Sequence, residues 1–321
     1  REPGLLMPLA ATALMKVNLI RPLRVPDNVT EEEDMTKSKI LIQLDPDAQA
    51  SVFDAVVAVD AEVDHLLQYH GVMTEQVRDL VHGAMFTRGP QDLKHTAVFI
   101  GGADVAAGEA LLEEVTSCFF GPMRVSVLLD ANGANTTAAA AVLSASQHVE
   151  LAGARATVLA GTGPVGQRVA RLLAGEGASV RIGSRSRERA EAVCEQIRQR
   201  VQDASIAAAQ TSDEAETSAA LEGSQIVVSA GAFGVQLLSA ANRHASADLR
   251  VAIDLNAVPP LGMEGIQVTD KAVDYDGVLC YGAIGVGGLK MKIHRAALRQ
   301  LFEANDKVLD AEQILAIGQT L

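Results

Sequence analysis

One stretch constrains the fold more than any other: an apolar run, a glycine-rich turn and an amphipathic segment follow one another between residues 156 and 174. This is the order of a dinucleotide-binding fingerprint, made of strand, turn and helix. The first glycine permits a tight turn, the second lets the backbone approach a pyrophosphate, and the third lets the helix pack on the strand. The free N–H groups of the helix N-terminus then face the phosphates. The predicted dinucleotide-binding residues are Gly161, Thr162, Gly163, Pro164, Val165 and Gly166.

The residues after the second predicted strand, 178–183, indicate which dinucleotide binds. An NAD site usually carries a carboxylate there, about 20 residues past the glycines, for the ribose 2′-hydroxyl. Here the chain has Ser184-Arg185-Ser186-Arg187, with no carboxylate before Glu188. Because guanidinium groups make paired, charge-assisted bonds to phosphate oxygens, Ser184, Arg185 and Arg187 favour NADP over NAD.

Strands and helices alternate along the whole chain, which is typical of parallel α/β sheets. In the first half we predict strands at 39–44, 96–100 and 123–129, and helices at 48–67, 74–85, 105–118 and 136–148. In the second half we predict strands near 156–160, 179–183, 205–209, 225–229, 251–255 and 278–282. The predicted class is α/β, with two parallel-sheet domains of which the second is a Rossmann NADP-binding domain.

The domain limits follow from the same pattern. We predict an α/β substrate domain at 37–150, a Rossmann domain at 151–288, and C-terminal helices at 289–321 that pack back on the first domain. Residues 1–36 are predicted to be an extension or disordered leader. Their apolar run, 5–14, is too short to span a bilayer, and a charge run and Met35 follow it.

The composition limits the kinds of partner that the protein can bind. A formal net charge of −13 argues against nucleic acid or an anionic membrane as a partner. The three cysteines are far apart, which fits reduced thiols and a cytoplasmic location. The histidines show no metal-ligand spacing, so we predict no metal site.

The second substrate should bind beyond the carboxyl ends of the strands, as ligands of open parallel sheets do. After the strand near 225–229 come small residues that would let a nicotinamide lie close to the backbone. Polar residues follow the strands near 123–129 and 251–255, and Lys290 follows the last strand. We expect these loops to meet in an interdomain cleft. The candidates are Ala230, Gly231, Ala232 and Asn256 for the cofactor, and Asn132, Asn135, Thr136 and Lys290 for the substrate.

The chain lacks the proton-relay motif of many alcohol dehydrogenases, Tyr-x-x-x-Lys. A hydride-transfer enzyme without an evident acid or base fits a substrate that needs none. A methylene group between two nitrogens is such a substrate, because a nitrogen lone pair stabilises the cation that remains. The protein then supplies geometry, electrostatic support and exclusion of water.

Several motifs, in order from Met35 to Leu321, resemble those of the bacterial NADP-dependent methylene-tetrahydromethanopterin dehydrogenases. They are Ser51-Val-Phe-Asp54, Phe119-Phe-Gly-Pro122, Asp130-Ala-Asn-Gly-Ala-Asn-Thr-Thr137, Leu159-Ala-Gly-Thr-Gly-Pro-Val-Gly166, Pro259-Pro-Leu-Gly262 and Gly282-Ala-Ile-Gly-Val-Gly-Gly-Leu-Lys-Met-Lys-Ile-His294. The resemblance implies reversible hydride transfer between methylene- and methenyl-tetrahydromethanopterin and NADP, in an interdomain cleft of a homo-oligomer. It also implies that Lys290 is the catalytic residue beside the pterin, and that Asp54 and Thr136 line the pterin pocket.

Alternatives remain at this point. Tetrahydrofolate could be the carrier, because both pterins share the reacting N–CH2–N unit. A reductase of the shikimate or glutamyl-tRNA type shares the two-domain plan. A non-enzymatic NADP sensor is a further alternative, but a sensor would not need the Lys290 loop. The family carries Gly-Arg-Lys where this chain has Ser184-Arg185-Ser186-Arg187, which leaves the strictness of NADP preference open.

Overall fold

The computed structural model describes residues 37–321, and the predicted leader at 1–36 lies outside them. The strands are β1 Ile40–Leu44, β2 His65–Tyr69, β3 Thr96–Ile100, β4 Ser126–Leu129, β5 Arg155–Leu159, β6 Ser179–Ser184, β7 Ile206–Gln210, β8 Ile226–Ser229, β9 Val251–Asp254, β10 Val273–Tyr275, β11 Val278–Tyr281 and β12 Val308–Leu309. The helices are α1 Val52–Asp60, α2 Thr74–Phe86, α3 Val105–Ser117, α4 Ala134–Ser146, α5 Pro164–Gly175, α6 Arg187–Arg200, α7 Glu214–Leu221, α8 Ala240–Ala245, α9 Ala283–Gln300 and α10 Ala311–Gln319.

The first sheet has five parallel strands in the order β12-β4-β3-β1-β2. Its central strand, β3, is Thr-Ala-Val-Phe-Ile, and every residue of it is buried. A parallel strand covered by helices on both faces reads as a continuous apolar run, as this one does.

The second sheet has seven strands in the order β10-β11-β9-β8-β5-β6-β7. All its pairs are parallel except β10 with β11. Without the antiparallel β10, the order is that of a Rossmann sheet that starts at β5, and the order of the strands reverses between β5 and β8. The predicted fold class is therefore confirmed.

Helix α4 lies where the two sheets meet, packing against α5, α9 and α10. Its Ala138–Ala141 run is wholly buried. Small side chains let four helices approach closely at one place, because the distance between helix axes depends on the residues at the contact. This alanine run holds the glycine turn at the start of α5 close to the loop that precedes α4.

The chain returns to the first sheet at its C-terminal end. Helix α9 packs on α1 and α4, and β12 pairs with β4. Helix α10 begins at a capping box, in which the side chains of Asp310 and Gln313 each accept a backbone N–H of the other. Helix α9 runs unbroken across residue 288, where we predicted a domain limit.

Two local predictions were wrong. The helix predicted over 48–67 ends at Asp60, and residues 65–69 form the edge strand β2 instead. Glu62 has a φ of +65°, which ends the helical path. The C-terminal helices, predicted from residue 289, begin earlier, because α9 starts at Ala283.

Among residues 37–321, no helix combines the length and the apolar character needed to cross a membrane.

Candidate functional site

The glycine turn has the geometry that the fingerprint requires. A Cβ on Gly166 would lie 2.7 Å from the Cα of Gly161, and one on Gly161 would lie 2.9 Å from the carbonyl of Val158. A Cβ on Gly163 would meet nothing closer than 3.7 Å. The first and third glycines are therefore required for packing, whereas the second leaves the backbone open to a ligand.

The start of α5 presents backbone donors at this turn. Gly163 is the N-cap and Pro164 the first helical residue, where its missing N–H costs nothing. Thr162 lies in the turn, and its carbonyl accepts from Gln167 Nε2 at 2.8 Å. Val165 packs against the core of the first sheet, which fixes the helix start between the two sheets. These residues fit a pyrophosphate at the helix N-terminus.

A cavity of about 400 Å³ continues from the turn to the end of β6. It is lined by Ala160, Thr162, Ser184, Arg185, Ser186, Arg189, Thr211 and Leu237. Two guanidinium groups and four hydroxyl groups line this cavity, at the place where a dinucleotide carries its adenosine ribose. This donor set fits a 2′-phosphate better than a 2′-hydroxyl.

One predicted arginine lies elsewhere. Arg187 is exposed and forms an ion pair with Glu191, one helical turn on, with Nε 2.9 Å from Oε1. The second arginine of the cavity is Arg189, which the sequence analysis missed. Ser186 is the N-cap of α6 and its Oγ accepts from the backbone N–H of Arg189. Recognising that cap would have placed Arg187 and Arg189 on different sides of the first turn.

The predicted nicotinamide loop follows β8. A Cβ on Gly231 would lie 2.7 Å from Leu237 Cδ1, so a side chain here would have to displace Leu237. The backbone N–H of Ala230 donates to Leu159, the last residue of β5. Asn256 is buried, and its Nδ2 lies 3.5 Å from the carbonyl of Ala232. Asn256 therefore joins the loop after β9 to the loop after β8 rather than facing open space.

A second cavity, of about 290 Å³, lies beyond the carboxyl ends of β1, β3 and β4. It is lined by Asp47, Ser51, Phe53, Asp54, Gly102, Ala103, Asn132, Gly133 and Lys290. Three of the predicted substrate residues, Asp54, Asn132 and Lys290, thus share one cavity.

Lys290 is held without an ion pair among residues 37–321. Its Nζ lies 4.9 Å from the centroid of the Phe53 ring, a cation–π contact. A Cβ on Gly133 would lie 2.7 Å from that Nζ, so only glycine leaves the ammonium group its place. Asn132 and Gly133 both adopt left-handed conformations, with φ of +53° and +58°. Two such residues in succession form a tight loop that faces the ammonium group.

Thr136 and Asn135 lie inside α4, beneath the cavity and not in its lining. Thr136 donates from its backbone N–H and from Oγ1 to the carboxylate of Asp130, at 2.9 and 2.6 Å. Asn135 accepts from Arg168 Nε and donates from Nδ2 to the carbonyl of Leu129 and to Asp310 Oδ1. Both side chains are fully used within the protein.

A buried histidine that the sequence analysis did not select lies under Lys290. His294 is 0% exposed, one turn after Lys290 on α9, and its ring packs against Phe99. Its Nδ1 is 3.9 Å from Asp130 Oδ2, and neither ring nitrogen makes a hydrogen bond within residues 37–321. Burial lowers the pKa of His294 to about 4, so the ring is neutral at pH 7. The four-residue spacing from Lys290 was the available signal.

Two carboxyl groups complete the electrostatics of this cavity. Burial raises the pKa of Asp54 above its ordinary value, while His294 and Lys290 act in the opposite direction. Burial likewise raises the pKa of Asp130, opposed by Lys290 and by the bonds from Thr136. Asp54 in the cavity and Asp130 beneath it therefore hold protons more readily than exposed carboxyl groups.

Known proteins resemble the chain across both sheets. A profile for the N-terminal part of methylene-tetrahydromethanopterin dehydrogenase matches residues 52–132. A profile for the NADP-binding domain of saccharopine dehydrogenase matches residues 157–246. The bifunctional protein MdtA of Methylorubrum extorquens is 44% identical over 88% of this chain and 99% of its own length. The NAD(P)-dependent methylenetetrahydromethanopterin dehydrogenase of the same organism is 32% identical over 83% of this chain and 93% of its own.

The chain belongs to the methylene-tetrahydromethanopterin dehydrogenase family. Both relatives are matched over nearly their full length, so the similarity extends over both sheets. Among solved structures, the shikimate 5-dehydrogenase of Listeria monocytogenes in complex with shikimate and NAD has a TM-score of 0.48 at 14% identity, over 90% of this chain and 99% of that one.

Proposed function

We propose that this member of the family transfers a hydride reversibly between methylene-tetrahydromethanopterin and NADP, giving methenyl-tetrahydromethanopterin and NADPH. The observations that carry the proposal are the cavity of Asp54, Phe53, Asn132 and Lys290 beyond the first sheet, and the packing of α4 on α5, the helix that begins at the glycine turn. A pterin there would lie beside a nicotinamide bound after β5 and β8. When bound, NADP accepts the hydride at its nicotinamide ring.

The residues of the cavity suit a reaction that creates positive charge. The substrate becomes a cation when the hydride leaves, and the ionised form of Asp54 stabilises positive charge. Lys290, held against Phe53, donates hydrogen bonds to acceptor atoms of the pterin and fixes its orientation. Asn132 and Gly133 shape the wall opposite the ammonium group. In this mechanism the protein supplies orientation and electrostatics, and no side chain has to remove a proton.

The cofactor assignment to NADP rests on Arg185 and Arg189 at the end of β6. Two arginines at this place stabilise a doubly charged 2′-phosphate and have no matching group on NAD. Ser184, which is buried and accepts from the backbone N–H of Ser186 at 3.2 Å, holds the loop that carries Arg185.

The test is a turnover assay with a matched pair of lysine variants. Purified protein is mixed with NADP and methylene-tetrahydromethanopterin or methylene-tetrahydrofolate, and NADPH absorbance is followed. Lys290→Ala should lower kcat/KM for the pterin by about a hundredfold, the loss of one charge-assisted contact of about 2.7 kcal/mol, and leave NADP affinity unchanged. Lys292→Ala, on the exposed side of the same helix, should behave as the wild type. Absence of turnover with both pterins would reject the proposal.

We also propose that the protein is a homo-oligomer, with α1 and β2 at the contact between copies. Val52, Val56 and Val59, spaced along one side of α1, are 75%, 56% and 66% exposed. The neighbouring edge strand β2 exposes Leu67 and Tyr69 and has no partner on its outer side among residues 37–321. Apolar surface beside an open strand edge favours self-association. Light scattering should give a smaller mass for Val59→Asp than for the wild type, and equal masses would reject this interface.

A cytoplasmic location is proposed on separate grounds. Cys118, Cys194 and Cys280 are free and buried, which suits a reducing compartment. Cell fractionation of the tagged protein should recover it with the cytoplasmic enzymes, and recovery outside that fraction would contradict the proposal.

A further inference from the structure

A third cavity, apart from the two described, lies behind the glycine turn between α3, α5 and α6. It measures about 260 Å³ and is lined by Glu109, Gln167, Arg168, Arg171, Gln196, Ile197, Gln199 and Arg200. A water molecule occupies about 30 Å³ in the liquid, so the cavity has room for a small organic molecule. Its lining carries three guanidinium groups and one carboxylate, and two further carboxylates, Asp310 and Glu312, pair with Arg171 from outside the lining.

Two helix faces build this cavity. Gln167, Arg168 and Arg171 project from one side of α5, and Gln196, Gln199 and Arg200 from one side of α6. The spacings of three and four residues place each group of side chains on a common face. The cavity is therefore enclosed by regular elements, whose side chains are held in place better than those of loops.

Two of the arginines, Arg168 and Arg171, are already held in position by partners within the protein. Arg168 is 5% exposed and donates to Asn135, to the carbonyl of Pro164 and, at 2.8 Å, to Glu109 Oε1. Arg171 is 6% exposed, and its Nη2 donates to Asp310 and Glu312. Guanidinium groups held in this way need no further ordering when a ligand binds.

Donors nevertheless remain for a ligand. Arg171 Nε lies 2.7 Å from Glu312 Oε1, but the contact does not have the geometry of a hydrogen bond. Within residues 37–321, no hydrogen bond or ion pair involves Arg171 Nη1 or the guanidinium of Arg200. The amides of Gln196 and Gln199 add donors and acceptors beside Arg200.

We propose that this cavity is a binding site for a small multivalent oxyanion, a polycarboxylate or a phosphate-bearing metabolite. Arg171 and Arg200 bind the oxyanion groups by charge-assisted bonds, and the glutamines bind hydroxyl groups or further oxygens. Ile197 forms the apolar floor. The site is separate from the 2′-phosphate cavity of Arg185 and Arg189, so the anion binds at the same time as NADP.

The experiment is isothermal titration of the NADP-saturated protein with citrate and, separately, with inorganic phosphate, at an ionic strength kept constant with sodium chloride. Saturation with NADP blocks the 2′-phosphate cavity. We expect binding of one citrate per chain. Citrate binding with weaker phosphate binding would assign the site to polycarboxylates, and the reverse order would assign it to phosphate-bearing ligands. No binding of either anion would overturn the proposal.

Three variants test the location. Arg200 is exposed at the end of α6, so Arg200→Gln should fold and weaken anion binding about tenfold, as expected for one lost charge-assisted bond. Gln196→Glu, which brings a negative charge into the cavity, should weaken it similarly. The matched control is Arg198→Gln, two residues away and outside the cavity, and it should stay within about twofold of the wild type. Unchanged affinity in Arg200→Gln, or an equal loss in Arg198→Gln, would place the anion elsewhere.

Discussion

Replacing His294 by phenylalanine should stabilise the protein and remove part of its sensitivity to acid. His294 is completely buried against Phe99, and neither ring nitrogen has a hydrogen-bond partner within the described chain. A buried polar atom without a partner costs about 1–3 kcal/mol, whereas a phenyl ring of similar shape has no such atom. At pH 7 we therefore expect His294→Phe to raise the free energy of unfolding by at least about 1 kcal/mol.

The pH dependence has a definite sign and size. Burial lowers the pKa of His294 from 6.5 to about 4, so between these values the unfolded chain binds a proton that the folded protein does not. The stability contributed by the neutral ring is therefore present at pH 7 and is lost as the pH falls through 6.5 towards 4. Integrated from pH 7 to pH 5, the loss in the free energy of unfolding is about 2 kcal/mol. Asp54 and Asp130, whose pKa values are raised by burial, act in the opposite direction and remain in the variant.

Urea unfolding of both proteins at pH 7, 6 and 5 measures the effect. The difference in unfolding free energy between His294→Phe and the wild type should widen by about 2 kcal/mol from pH 7 to pH 5. His70→Phe, at an exposed position, is the matched control and should follow the wild type. Parallel pH profiles for wild type and His294→Phe would refute the assignment of a buried, unbonded imidazole.

Two further predictions follow from the site. Arg189→Ala should raise the KM for NADP about 10- to 100-fold and leave the KM for NAD nearly unchanged, because one charge-assisted bond to the 2′-phosphate is lost. Arg187→Ala should change neither KM. Steady-state kinetics with both cofactors measures these values, and a larger effect of Arg187→Ala than of Arg189→Ala on the KM for NADP would contradict the prediction. Asn135→Ala leaves the buried guanidinium of Arg168 and the half-buried carboxylate of Asp310 without their shared partner, so it should lower the unfolding free energy by about 3 kcal/mol. In urea titrations a loss under about 1 kcal/mol would show that water replaces the amide.

Local chemistry was enough to predict much of this fold. The glycine turn, the strands β5 and β6 and the helix between them depend on residues close together in sequence, and the structure confirms them. The same holds for the α/β class, because the alternation of apolar strands with helical segments repeats along the chain. By contrast, β2 was missed because its leucines continue the helical spacing of α1, and only the left-handed Glu62 interrupts it.

The start of α9 shows why some of the site was beyond sequence reasoning. Residues 282–288 are rich in glycine and read as a loop, yet from Ala283 onwards they form the first turns of α9. A Cβ on Gly282 or Gly285 would overlap the backbone of Gln267 or Asp270, so these glycines serve close packing between distant segments. Such contacts depend on residues that are far apart along the chain.

The sequence by itself determined the class of fold, the dinucleotide turn and the cationic end of β6. Only the tertiary structure decided which side chains are free to meet a ligand. Asn135 and Thr136 are occupied by Arg168, Asp310 and Asp130, while Arg189 takes the place expected of Arg187. The physical reason is that a polar side chain bonds to whatever packing brings within about 3 Å, and spacing along the chain does not contain that information.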